Sequence, residues 1–310
     1  MKTLWKRFAC MAVAMITPTL LCSCEAKAPV QGICYRVTGG KNPMVILGSI
    51  HVGSPEMEPY GQHIQDAMAQ ADTFVLECNN DSPEVAAQSL AMMSLSESTL
   101  QEAVSPELWP LLTDACQLAN LNLGALSTYK PWAVTSMLTT AAAAREMGAR
   151  SSRQAVSQGV EQEVLEHVGD REIRYLETAV AQLSLMDGFS PALQEALLRQ
   201  SCQAVLEPKE SVSLAQWPLW WRDGDAAAFA TEYAQDDSLP PELMAEYHQA
   251  LVTNRNRHMA SVLAQMLEEA DSHSFFVTIG LMHLVLPNDS VLYELEQMGY
   301  TVERMWLPIE

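Results

Sequence analysis

Basic residues are scarce in this chain: 18 Lys and Arg stand against 38 Asp and Glu, a formal net charge of −20 over 310 residues. A field of that sign repels phosphate backbones and anionic surfaces, which argues against a nucleic acid partner. Long apolar runs are missing too, except near the start, where Phe8 to Leu21 is too short to span a bilayer and contains Pro18. Cysteine is sparse, and its spacings match no zinc pattern of the C-x-x-C kind. Cys34, Cys78, Cys116 and Cys202 therefore read as small core hydrophobes, unpaired rather than disulfide-linked. There is no internal repeat at a fixed period, and no stretch has the composition of a flexible interdomain linker. What remains, 48% hydrophobic and 18% charged residues, is the composition of a folded globular chain with enough material for a proper core.

Lys2, Lys6 and Arg7 precede the N-terminal apolar run, the pattern of an export signal covering residues 1–23. The run ends in Leu21-Cys22-Ser23-Cys24, which resembles the lipobox of bacterial lipoproteins. On that reading Cys24 is the lipidated first residue of a mature chain, 24–310, attached to a membrane of the cell envelope. Glu25 is not the Asp associated with inner-membrane retention, so the outer membrane is the expected location.

Apolar runs predict strands at Ile33–Thr38, Met44–Ser49, Thr73–Cys78, Glu172–Glu177, Ser274–Ile279 and Thr301–Leu307. Helix patterns fall at Met57–Gln70 and Asn288–Met298, the latter followed by Gly299, which suits a helix end. Strand, helix, strand at both ends of the chain implies an α/β fold with a mainly parallel central sheet. The centre, approximately residues 82–270, is helical in pattern apart from Glu172–Glu177 and reads as a large insertion, with helices packed over one side of the sheet.

Two tetrads share a plan. Gly48-Ser49-Ile50-His51 closes the second strand, and Gly280-Leu281-Met282-His283 closes the fifth. Each sets a glycine, suited to a tight turn, at the carboxyl end of a strand and an imidazole three residues later. In open α/β sheets ligands gather outside those ends, where Glu77 also falls after Phe74-Val75-Leu76. Two histidines and a carboxylate are a common divalent-metal set, so His51, Glu77 and His283 are the candidate ligands.

These segments, together with Lys130-Pro131-Trp132, Gly159-Val160-Glu161, Leu176-Glu177-Thr178 with Gln182, and Asn254-Arg255-Asn256, resemble the TraB/PrgY/GumN family in order and placement over essentially the whole mature chain. That family is similar to the Tiki proteins, membrane-tethered metalloproteases, and in fold to erythromycin esterase and the ChaN haem-binding lipoproteins. The resemblance implies a metal-dependent hydrolase, with Mn, Co or Zn at His51, Glu77 and His283 and a peptide or protein as substrate. In that reading Glu77 is a ligand or the general base, and Arg255 stabilises an oxyanion or clamps a carboxylate. Glu177 and Asn256 would support the ligands. The rival reading is an envelope lipoprotein that binds haem or metal without turnover. Four positions depart from the family's usual pattern: Ser49 in place of threonine, Glu161 in place of aspartate, and bulky Leu281 and Met282 inside the second tetrad.

Overall fold

The computed structural model describes residues 30–79, 83–146, 148–207, 216–234 and 238–306; the export segment, Cys24 and Leu307 lie outside the described residues. Six strands form one sheet: β1 (Cys34–Thr38), β2 (Met44–Ser49), β3 (Thr73–Leu76), β4 (Glu172–Tyr175), β5 (Phe275–Gly280) and β6 (Thr301–Met305). Their order across the sheet is β4-β3-β5-β2-β1-β6. β4, β3, β5 and β2 pair in parallel, whereas β1 runs antiparallel to both β2 and β6. The expected α/β class with a mainly parallel sheet is therefore observed. The exception is the β1–β2 hairpin, turned in part by Gly39 at φ 106°.

β2, β3 and β5 are almost wholly buried, as their unbroken apolar runs require. Side chains alternate between the two faces. Phe74 and Phe276, in register on neighbouring strands with ring centroids 5.6 Å apart, point to one face. There they join Ile33, Leu47, Ile64, Val164 and Trp221. Val75, Val277 and Ile279 point to the other, against Leu263, Val291 and Leu295. Helices thus cover both faces, not one: Gln62–Gln70 and Val160–Val168 lie on the first, Asn254–Leu267 and Val291–Gln297 on the second. A sheet buried on both sides cannot leave either apolar face to water.

Much of the helical centre builds a core of its own. Helix Pro131–Glu146 packs on Pro191–Leu206 around Leu108, Leu112, Val134, Leu138, Leu198 and Cys202. The Lys130-Pro131-Trp132 segment anchors this unit. Lys130 Nζ and Trp132 Nε1 lie 2.7 Å and 2.9 Å from the same oxygen of Asp187.

Two helix boundaries shift for local reasons. Met57–Gln70 divides into a 3-10 turn, Pro55–Met57, and the helix Gln62–Gln70, because Pro59 has no N–H to continue the ladder. The helix expected from Asn288 begins at Val291, since Asn288 has φ 62° and the Ser290 hydroxyl caps Tyr293 N–H. Gly299, at φ 95°, ends it as expected. Among the described residues no disulfide joins Cys34, Cys78, Cys116 and Cys202, and no helix is long and apolar enough to cross a membrane.

The tetrad glycines turn out to serve close approach rather than a tight turn, for neither Gly48 nor Gly280 has a positive φ. A Cβ on Gly48 would lie 2.4 Å from Leu281 Cδ1, and one on Gly280 would lie 2.9 Å from Glu77 Oε1. The two tetrads therefore interlock, and the bulk of Leu281 is accommodated by the empty volume at Gly48. Trp221, fully buried, completes the junction by donating from Nε1 to the Gly48 carbonyl at 2.7 Å.

Gly48→Ala is expected to cost about 1–3 kcal/mol by overpacking, read from the urea midpoint. The interlock further requires non-additivity with Leu281→Ala. Strictly additive costs in the double variant would refute it.

Candidate functional site

Because β2, β3, β4 and β5 are mutually parallel, the residues that follow them gather at one sheet edge. His51 lies just past β2, Glu77 directly past β3 and Glu177 just past β4, while His283 sits in the short helix Met282–Val285 after Gly280. The Glu177 N–H donates to the Glu77 carbonyl at 2.8 Å, which sets the two glutamates side by side. The Thr178 hydroxyl caps the helix that follows, accepting from the Ala181 N–H.

Arg255, near the start of Asn254–Leu267, joins three of these edge residues. Its Nη2 lies 2.8 Å from Glu77 Oε2 and 2.8 Å from Glu177 Oε2, and its Nε donates to Glu177 Oε2 at 2.9 Å. Its Nη1 lies 2.8 Å from His283 Nε2. A guanidinium can only donate, so Nε2 accepts and the proton of the neutral ring sits on Nδ1, which donates to Asn256 Oδ1 at 2.6 Å. Asn256 Nδ2 in turn donates to the Asp289 carbonyl at 2.9 Å. The other Glu77 oxygen accepts from the Gly280 N–H. All of Glu77, Arg255, Asn256 and His283 are buried. A π-turn, Gln249–Thr253, immediately precedes this helix, an irregularity frequent at functional sites.

His51 stands apart from this buried group. Its side chain is 71% exposed, and Nδ1 lies 2.8 Å from Glu161 Oε2. The Ser49 hydroxyl donates to the other Glu161 oxygen at 3.1 Å. Glu161 occupies the first turn of Val160–Val168, where a helix N-terminus favours an anion. This helix start presses against the His51 loop: a Cβ on Gly159 would lie 2.5 Å from the His51 carbonyl, and one on Gly53 would lie 1.8 Å from that of Gln158. His51, Glu77 and Glu161 line one cavity of about 120 Å³ together with Asn79, Gln162, Tyr175 and Gln182. His283 lies behind its wall rather than in it.

The protonation states follow from these contacts. The hydrogen bond to Glu161 pushes His51 up to about 9. Burial pushes His283 down to about 4, the attraction of Glu77 notwithstanding. Burial would raise Glu77, but His283, Arg255 and His51, with the Gly280 N–H, outweigh it and hold the carboxyl at about 2. At neutral pH the site holds an ionised Glu77, a neutral His283 and a protonated His51.

A metal held by His51, Glu77 and His283 does not fit this arrangement. Glu77 Oε2 and His283 Nε2, the atoms that would face the ion, are both occupied by Arg255. Among the described residues no group of three His, Cys, Asp or Glu side chains stands ready to hold a metal ion. The residue that sequence reasoning undervalued is Glu161. Glu161 stands where the family's usual pattern has aspartate, and its side chain spans from its helix to both Ser49 and His51.

The family model for the TraB/PrgY/gumN family matches residues 33–304, from the first strand to the last and across every residue of the site. No curated protein and no solved structure matches the chain.

Both depressed pKa values make the fold sensitive to acid. His283 contributes fully above its ordinary 6.5 and loses that contribution as pH falls through about 4; Glu77 does so from 4.5 down through about 2. Urea midpoints should therefore fall between pH 7 and pH 4, and the His283→Gln variant should lose the upper part of that dependence. A midpoint level across this range would contradict the assigned charge states.

Proposed function

The chain belongs to the TraB/PrgY/gumN family, and from the site built on that frame we propose that it is a hydrolase acting on peptide bonds, held at an envelope membrane by lipid on Cys24. The observation that carries the hydrolase reading is that His51 and Glu77 line one cavity, each bonded to a partner of opposite character, Glu161 and Arg255.

The chemistry is built from these side chains. Glu161 engages His51 Nδ1, which leaves Nε2 as the nitrogen open to a water or substrate. With its ring deprotonated, His51 takes a proton from a water that attacks the scissile carbonyl, and the adjoining carboxylate stabilises the imidazolium that forms. Glu77 orients that water: it lines the cavity and keeps one carboxylate lone pair beyond those taken by Arg255, Gln182 and the Gly280 N–H. Gln182, bonded to Glu77 at a long 3.4 Å, and Tyr175 supply donors at the wall for the developing oxyanion. The cavity has room for about four waters, enough for a carbonyl and a small side chain, so an extended peptide would lie across its mouth. Support for a peptide substrate comes from the family's similarity to the Tiki metalloproteases.

Incubation with a peptide library, read by mass spectrometry, is expected to give cleavage products. His51→Ala and Glu77→Gln should lower the rate about 10²–10⁴-fold without loss of helical signal. Since His51 must give up its proton first, the rate should rise with pH through about 9, and in Glu161→Gln that rise should move toward the ordinary histidine value. Binding without products, or full activity in both variants, would refute the hydrolase reading in favour of a binding protein.

The membrane attachment has its own test. The mature N-terminus should be Cys24 carrying diacylglycerol, seen by mass spectrometry of the purified envelope protein, and Cys24→Ser should release the protein from membranes. An unmodified terminus at another residue would refute it.

A further inference from the structure

We propose that Arg255 is the resident cation of this site, occupying with its guanidinium the place that a divalent metal would take between Glu77, Glu177 and His283. The inference concerns the same site as the hydrolase reading but does not depend on turnover.

Three observations carry it. The first is the donor set. Two carboxylates and an imidazole, delivered by the ends of β3, β4 and β5, surround one buried guanidinium, which meets them through three different nitrogens in four contacts between 2.8 and 2.9 Å. A divalent ion bonded to Glu77 Oε2 and His283 Nε2 would need them at about 2.0–2.2 Å, using the same lone pairs that now accept from Arg255. The second is the direction of the hydrogen bonds. The chain from the Asp289 carbonyl through Asn256 to His283 Nδ1 holds the imidazole in the tautomer whose Nε2 accepts. Asn256 is fully buried, so this orientation is built into the helix that carries Arg255 rather than adopted at the surface. The third is charge. Arg255 cannot lose its proton to make way for an ion, and a second cation placed beside it in a buried site is repelled. Two buried carboxylates without a cation are equally unfavourable. The site therefore accepts one cation or the other, and the chain supplies its own.

The test counts metal rather than turnover. The purified protein is stripped with EDTA, equilibrated with Mn²⁺, Co²⁺ or Zn²⁺, freed of unbound ion and analysed by elemental mass spectrometry. Wild type is expected to retain no stoichiometric metal that depends on His283. Arg255→Ala frees Glu77 Oε2, Glu177 Oε2 and His283 Nε2, and should take up Co²⁺ stoichiometrically, with ligand-field bands in the visible spectrum that disappear when His283→Ala is added. Arg255→Lys keeps a cation in place and should stay as metal-poor as wild type, which covers the case in which Arg255→Ala does not fold. Stoichiometric metal in wild type that His283→Ala removes would overturn the proposal. So would metal uptake by Arg255→Lys, or a folded Arg255→Ala that takes up none. Because each arm reads metal content, a protein that cleaves no peptide leaves this result intact, and a metal-loaded wild type leaves hydrolysis open to its own test.

Discussion

The contact on which most of this molecule's organisation turns is a buried guanidinium. Arg255 meets two carboxylates and an imidazole that come from three strand ends and lie up to 206 positions apart in the chain. Glu77, Glu177 and Arg255 are each costly to bury alone, and only their mutual proximity makes the sheet edge tolerable in a low-dielectric setting. The strand order, the π-turn before Asn254 and the docking of Asn254–Leu267 on the sheet all serve to bring that one cation to that one point.

Around it the two tetrads form a tongue and groove. β2 and β5 run in register, so Gly48 lies opposite Ile279 and Ser49 opposite Gly280. The Leu281 N–H then donates to the Ser49 carbonyl at 2.8 Å, with the Leu281 side chain over Gly48. The glycines are needed because backbone and side chain must pass too closely for a Cβ, a requirement of packing between two distant segments and not of either segment alone. Gly280 adds an electrostatic duty, since its N–H is one of the donors that keep Glu77 ionised.

The division between a buried polar core and an open histidine gives the site two layers. The inner layer of Glu77, Glu177, Arg255, Asn256 and His283 has its side chains buried and joined by hydrogen bonds. The outer layer of His51, Glu161 and Ser49 is held by the helix start at Gly159, pressed against the His51 loop. Glu77 belongs to both, with its oxygens tied inward and its face on the cavity.

By itself the sequence determined the local features. Unbroken apolar runs marked β2, β3 and β5 as buried strands, the alternation of helix and strand implied parallel pairing, and the residues after each strand followed at the sheet's carboxyl edge. Arg255 and Glu161 were visible as residues, but their partners were not, because a hydrogen bond spanning 178 positions leaves no trace in periodicity. Nor can spacing show which of two histidines faces solvent. His51 and His283 occupy equivalent places in equivalent tetrads, yet one is open and the other buried. Only the tertiary structure decided that, since Asn254–Leu267 packs over the end of β5 and its arginine takes the lone pair of His283, while the loop after β2 meets the helix start at Val160 and leaves the His51 side chain at the surface.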